Sequence, residues 1–122
     1  MQLTFDEKTK TKLETLLSTG STPTKILFDF DDGVGPLSKM GNCTINVHFR
    51  IVLVDDTANL KEYNAILDSN IGPLYFKDYS KMYMGENMIV SFNPTYGNNI
   101  LKSETETLDQ NAEILDYRGI SF

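Results

Sequence analysis

The chain has 122 residues, 40% of them hydrophobic, a formal net charge of -6 and a single cysteine. That length makes one domain able to bury roughly two thirds of its unfolded surface without a staple, and one thiol excludes an internal disulfide. The acidity disfavours a phosphate backbone as partner, so nucleic acid is not expected. No apolar run approaches the ~20 residues of a bilayer span, because Ile51-Val52-Leu53-Val54 is closed by Asp55-Asp56, and no membrane association is expected either. Met1 to Asp6 lack the basic start and apolar core of a secretory signal, which makes the cytoplasm the expected compartment.

Thr4-Phe5-Asp6-Glu7 has the form of a capping box and predicts a helix starting there. Thr9, Leu13, Leu16 and Leu17 give it one face for a core, and Gly20, Ser21 and Pro23 end it. From Lys25 the period changes to two, with Ile26, Phe28 and Phe30 on one side and Leu27, Asp29 and Asp31 on the other, as in a half-buried strand. Thr44 to Val54 alternates most strictly: Ile45, Val47, Phe49, Ile51 and Leu53 line one face, Asn46, His48 and Arg50 the other. Asp55 to Asn59 reads as a turn or a short helical cap, Tyr63 to Leu67 as extended, Asp68 to Asn70 as a turn and Leu74 to Phe76 as a strand. Asp78 to Met84 reads as a helical turn or loop. Met88, Val90 and Phe92 then alternate up to Pro94, Tyr96 to Asn99 turns the chain, and Ile100 to Ser103 and Ala112 to Tyr117 read as strands. The sum is one 1–122 domain of α+β, mainly β class: a leading helix followed by two packed layers of about seven short, mostly antiparallel strands.

Cys43 closes the glycine-punctuated stretch Asp31 to Asn42, which contains Asp32, Gly33, Gly35, Gly41 and Asn42. A thiol at a loop-to-strand junction, beside Asn42 and Thr44 rather than apolar neighbours, is placed to be exposed and ionisable. Asp29, Asp31 and Asp32 offer oxygen ligands at a strand end, but no EF-hand series follows and Asp-Asp-Gly is ordinary turn chemistry. His48, the only histidine, follows Cys43 by five residues, a span of ~16 Å in a strand, which argues against a Cys-His dyad. Gly-x-Ser-x-Gly is absent, and Pro36 with a missing third glycine breaks any dinucleotide fingerprint at Gly33-Val34-Gly35. Tyr75, Tyr79 and Tyr83 recur every four residues beside Met82 and Met84, the pattern of either a partner surface or a packed core rim.

The order of these landmarks resembles a known family. A leading helix, a first strand, a glycine loop ending in Gly41-Asn42-Cys43 and a long strand are similar to the A-type iron-sulfur carrier (HesB/IscA-like) family, as are Ile66-Leu67-Asp68-Ser69, Leu74-Tyr75-Phe76 and Phe92-Asn93-Pro94 further along. Asp31 to Pro36 and Asp68 to Pro73 resemble a small cysteine-poor subgroup of it. The resemblance implies a HesB-like fold, a non-enzymatic accessory role in iron-sulfur cluster biosynthesis, and iron-sulfur assembly proteins as partners. It also implies Cys43 as the iron or cluster contact. Where the family carries a C-terminal Cys-Gly-Cys, this chain reads Tyr96-Gly97-Asn98-Asn99. One thiolate per chain supplies two in a homodimer, half of what a cluster normally takes, and leaves the rest to His48, carboxylates or an outside thiol. A second reading keeps the fold as a binding module for a protein or small molecule, using the Gly33 to Asn42 loop and the Tyr75 to Tyr83 segment. A third, with Cys43 as a catalytic nucleophile, has only His48 as its base.

Overall fold

The structure, a computed structural model, describes residues 1–20, 23–30, 48–57 and 60–119. Gln2–Phe5 form a strand, β1, in which Leu3 and Phe5 are buried and Gln2 and Thr4 exposed, the alternation of a strand with one covered face. The helix α1 (Glu7–Ser18) therefore begins later than a Thr4 cap would put it. Asp6 is the N-cap, its Oδ1 accepting from the Thr9 amide at 2.8 Å. The reason is tertiary: Gln2 to Phe5 pair in parallel with Asn87 to Val90, and that ladder outweighs the local capping-box signal.

Eight further strands follow: β2 (Thr24–Phe30), β3 (Phe49–Asp55), β4 (Ala65–Ser69), β5 (Leu74–Phe76), β6 (Asn87–Asn93), β7 (Asn98–Lys102), β8 (Thr107–Asp109) and β9 (Glu113–Asp116), with a 3₁₀ turn at Asp78–Tyr83 between β5 and β6. They make one nine-stranded sheet in the order β8-β7-β6-β1-β4-β5-β2-β3-β9. The expectation of two packed layers is thus corrected to a single sheet curled as a half-barrel. Four ladders are antiparallel (β2–β3, β4–β5, β6–β7, β7–β8) and four parallel (β1–β4, β1–β6, β2–β5, β3–β9), a more even mix than short connections suggested. The curl is a topological necessity. β8 and β9 lie at opposite ends of the sheet yet are joined only by residues 110–112, so the two edges must approach each other.

Inside the curl a single core gathers Leu3, Phe5, Phe28, Phe49, Ile51, Leu67, Phe76 and Val90, and Leu13 of α1 closes it from above β1 and β6. The strand β2 is not half-buried as its alternation suggested. Its other face, with that of β3, carries a second cluster of Leu27, Val52, Val54 and Tyr63, sealed by Leu60, Tyr75, Leu115 and Tyr117. Parallel pairing of β9 with β3 supplies part of this cover. The predicted residues Thr44 to Val47 of the long strand lie outside the described residues; from Phe49 to Val54 the strand is buried on both faces rather than on one.

The seam between the two halves of the sheet is short, with only Gln2 opposite Asp68 and Leu3 opposite Ser69. Beyond it the side chain of Asn70 takes the place of a strand: Phe5 N–H donates to its Oδ1 and its Nδ2 donates to the Phe5 carbonyl, both at 2.9 Å. Asp6 continues this junction. Its amide donates to the Val90 carbonyl at 3.0 Å and its Oδ2 accepts from the Phe92 amide at 2.8 Å. Burial works to raise the Asp6 carboxyl, but the Phe92 amide, with Thr9 beside it, outweighs this and holds it below its ordinary value of 3.8. Replacing Asp6 by alanine is expected to cost about 1–3 kcal/mol at neutral pH, from the lost cap and the orphaned Phe92 amide, as read by urea denaturation. Because the folded carboxyl binds its proton less readily than the unfolded one, this contribution is whole above the ordinary value and lost as pH falls through the folded one. The gap between wild type and Asp6→Ala should therefore narrow on acidification below 3.8.

Candidate functional site

The sequence places Cys43, Asp31, Asp32, Gly33, Gly35, Gly41 and Asn42 between β2 and β3, and all of them lie outside the described residues. Their two anchor points are described. Phe30, the last residue of β2, pairs across the antiparallel ladder with Phe49, the first of β3, and His48 precedes it. What surrounds these two chain ends defines the candidate site.

Beneath the mouth lies a buried ionic group. Asp29 and Arg50 are directly opposite in the β2–β3 register, on the face shared with Leu27 and Val52, and their side chains are only 1% and 5% exposed. Arg50 donates from Nε at 3.1 Å and from Nη2 to the same oxygen, Asp29 Oδ2. The other oxygen, Oδ1, accepts from the Tyr63 hydroxyl at 2.6 Å and faces Lys77 Nζ at 3.4 Å. Lys77 follows β5 directly, is 1% exposed, and its Nζ also donates to the Phe30 carbonyl at 2.8 Å. It lies 5.8 Å from the Tyr63 ring centroid and 5.9 Å from that of Tyr79, within cation–π range of both. Charges this deep persist only when paired and hydrogen-bonded. Asp29 is thereby committed to the chain's own donors, which removes it from the carboxylate set considered for a bound cation.

A second carboxylate holds the other anchor. Asp109, at the end of β8, is buried; its Oδ2 accepts from the Phe49 amide at 2.8 Å and its Oδ1 from Asn111 at 2.9 Å. His48, half-buried, places Nδ1 3.7 Å from Asp109 Oδ2, beyond hydrogen-bond distance. Among the described residues no group of three or more His, Cys, Asp or Glu side chains is arranged to hold a metal ion, and no helix is long and apolar enough to cross a membrane.

The three tyrosines fall on two elements. Tyr75 sits on β5, partly buried against the second cluster with Lys25 Nζ 5.2 Å from its ring centroid. Tyr79 and Tyr83 lie on the 3₁₀ turn, and Tyr83 stacks on Phe30 with centroids 4.3 Å apart and planes at 10°. This turn therefore borders the mouth directly. The polar faces of β2 and β3 pointed to Asp29 and Arg50 as solvent-facing; what sequence reading missed is that Tyr63 and Lys77 close over them. The only available signal was a lysine immediately after the alternating Leu74-Tyr75-Phe76.

The family described as iron-sulphur cluster biosynthesis matches residues 1–116 of the chain. A solved structure of a protein from Lactobacillus salivarius, described as a candidate Fe-S biosynthesis protein with a novel protein fold, is 39% identical, with 97% of this chain and 99% of that one covered and a TM-score of 0.84. Another from Lactobacillus acidophilus, described as a candidate Fe-S biosynthesis protein, is 21% identical over 95% of this chain and 90% of that one, with a TM-score of 0.66, and shows the shared fold. No curated protein matches the chain.

Removing the central carboxylate by Asp29→Ala is expected to destabilise the protein by about 3–5 kcal/mol, the range for breaking a buried ion pair. Asp109→Ala, which leaves the Phe49 amide without its acceptor, should cost about 1–3 kcal/mol, whereas Asp78→Ala at the exposed Lys81 pair should cost under about 1 kcal/mol. Urea midpoints of the three variants check this order.

Proposed function

The chain belongs to the iron-sulphur cluster biosynthesis family, and from that membership we propose that it is a cytoplasmic, non-enzymatic accessory of cluster assembly that contacts iron or a cluster as cargo through Cys43. The match over residues 1–116 is the observation that carries this reading. The donor set fits a passing contact better than a resident cluster. Each chain offers one thiol and, at the far end of the same connection, His48 with Asp109 behind it. Two copies would offer two thiolates and two imidazoles, a set of sulfur and nitrogen donors that iron accepts. Homodimer formation through this end of the molecule is part of the proposal. In this reading Asp31, Asp32, Gly33, Gly35, Gly41 and Asn42 are the binding residues that accompany the thiol in sequence, and Tyr75, Tyr79 and Tyr83 the surface for iron-sulfur assembly proteins.

Two features of the described residues support a site at this end. The Asp29 group and the Asp109 clamp fix both chain ends from which the Cys43 segment springs, and a ligand pair works best from rigid supports. The alternative, a module that keeps the fold without the cargo, predicts no thiol dependence at all.

Anaerobic incubation with ferrous iron and sulfide should give the wild type thiolate-to-iron charge-transfer absorption and bound iron. Cys43→Ser should abolish both, His48→Ala should weaken retention with the fold intact, and the loaded form should run as a dimer in size exclusion. A wild type that stays colourless and free of iron would leave the fold without the cargo.

A further inference from the structure

We propose that the surface of the 3₁₀ turn receives a basic, amphipathic segment of a partner protein, whose apolar side chains cover Tyr79, Met82 and Tyr83 while a lysine or arginine reaches the polar cleft beside them and faces Glu106. This rests on the reading of Tyr79 and Tyr83 as a partner surface and names the chemistry of that partner. Among the described residues six large hydrophobic side chains are exposed, and three of them, Tyr79 at 51%, Met82 at 76% and Tyr83 at 44%, belong to this one turn. Ile66 and Ile89 lie on β4 and β6 and Tyr96 in the β6–β7 turn. Concentration on a single turn is what distinguishes a docking patch from scattered surface apolarity.

Next to these side chains is a cleft of about 280 Å³ lined by Met82, Tyr83, Met84, Leu108, Glu106 and Thr107. It is smaller than the usual small-molecule pocket and suits one or two inserted side chains. Its walls combine rigidity with adaptability. Tyr83 is held by its stack on Phe30, so presenting it costs little entropy, and the methionines can reshape around an inserted side chain. Gly85 lets the turn pack closely on the β7–β8 connection: a Cβ there would come within 2.7 Å of the Ser103 Cβ.

Charge selects the occupant. Lys81 is already matched by Asp78 at 3.1 Å, and Glu86 by the Met1 amine at 3.3 Å. Glu104 accepts only from the uncharged Asn87, and Glu106 has no cation within ion-pair distance among the described residues. On a chain of net charge -6, this face attracts a basic segment and repels a nucleic acid.

The test uses the full chain with methyl-labelled methionines, titrated with a synthetic Leu/Lys amphipathic helical peptide and with its Leu/Glu counterpart. The Leu/Lys peptide should shift the Met82 and Met84 methyl signals and leave Met88, 1% exposed in the core, unmoved. Glu106→Lys and Met82→Ser should each weaken this binding by about tenfold or more, as expected for hot-spot positions, and added salt should weaken it further. Equal binding of the Leu/Glu peptide, shifts that bypass Met82 and Met84, or indifference to both substitutions would overturn the proposal. Concentration-dependent shifts at Met82 without peptide would assign the cleft to a second copy and overturn it as well. The peptide assay involves no iron, so it fails or succeeds independently of the cargo experiment.

Discussion

The buried carboxylate of Asp29 is the constraint on which the rest of the molecule is arranged. It lies opposite Arg50 across the β2–β3 ladder and is reached by Tyr63 from the segment before β4 and by Lys77 from the end of β5. Four segments distant in sequence thus converge on one side chain. A charged group at this depth is tolerated only with its partners in place, so the ion group specifies a tertiary arrangement that apolar packing alone leaves open. Val52, Val54 and Leu27 make an adhesive face; Asp29 fixes which segments cover it.

Polar side chains carry the same role wherever backbone pairing runs out. The sheet is long and its seam at β1–β4 is only two residue pairs wide. Asn70 extends it with two hydrogen bonds to Phe5, Asp6 ties the start of α1 to β6, and Asp109 ties the β8–β9 corner to the start of β3. Each satisfies backbone groups that the curl would otherwise strand, and a buried unpaired amide costs more than the hydrogen bond returns in water. The curl is therefore locked at three points by residues that would pass in a sequence for ordinary turn formers.

That explains what was legible in the sequence. The two-residue period located β2, β3, β5 and β6 because it is a property of the strand itself. It did not reveal that both faces of β2 are covered, since the cover comes from Tyr63, Leu115 and Tyr117, which are remote in sequence. Leu3 and Phe5 alternate as a strand should, yet Thr4 and Glu7 offered a local cap, and only the β6 ladder decides between them. The short β8 has a single buried residue, Asp109, and no apolar signature to announce it. Of the candidate site, Tyr79 and Tyr83 were visible by spacing, while Glu106 and Leu108 enter only through the β7–β8 connection that folds back beside them.

The two ends of the Cys43 segment are tied to different devices, and this bears on how a single thiol can serve. At one end the Lys77 ammonium donates to the Phe30 carbonyl; at the other the Asp109 carboxylate holds the Phe49 amide and backs His48. Because Phe30 and Phe49 are also paired in the ladder, with their rings in tilted contact and Phe49 stacked on Phe28, the two ends are held together. Closing a chain segment on fixed ends incurs its loop entropy once, at folding, and not again when cargo binds. A lone cysteine per chain forgoes the multidentate grip of a full thiolate set. The Tyr83–Phe30 stack puts the apolar turn at the same mouth, so docking there would bring a basic partner beside the thiol-bearing segment.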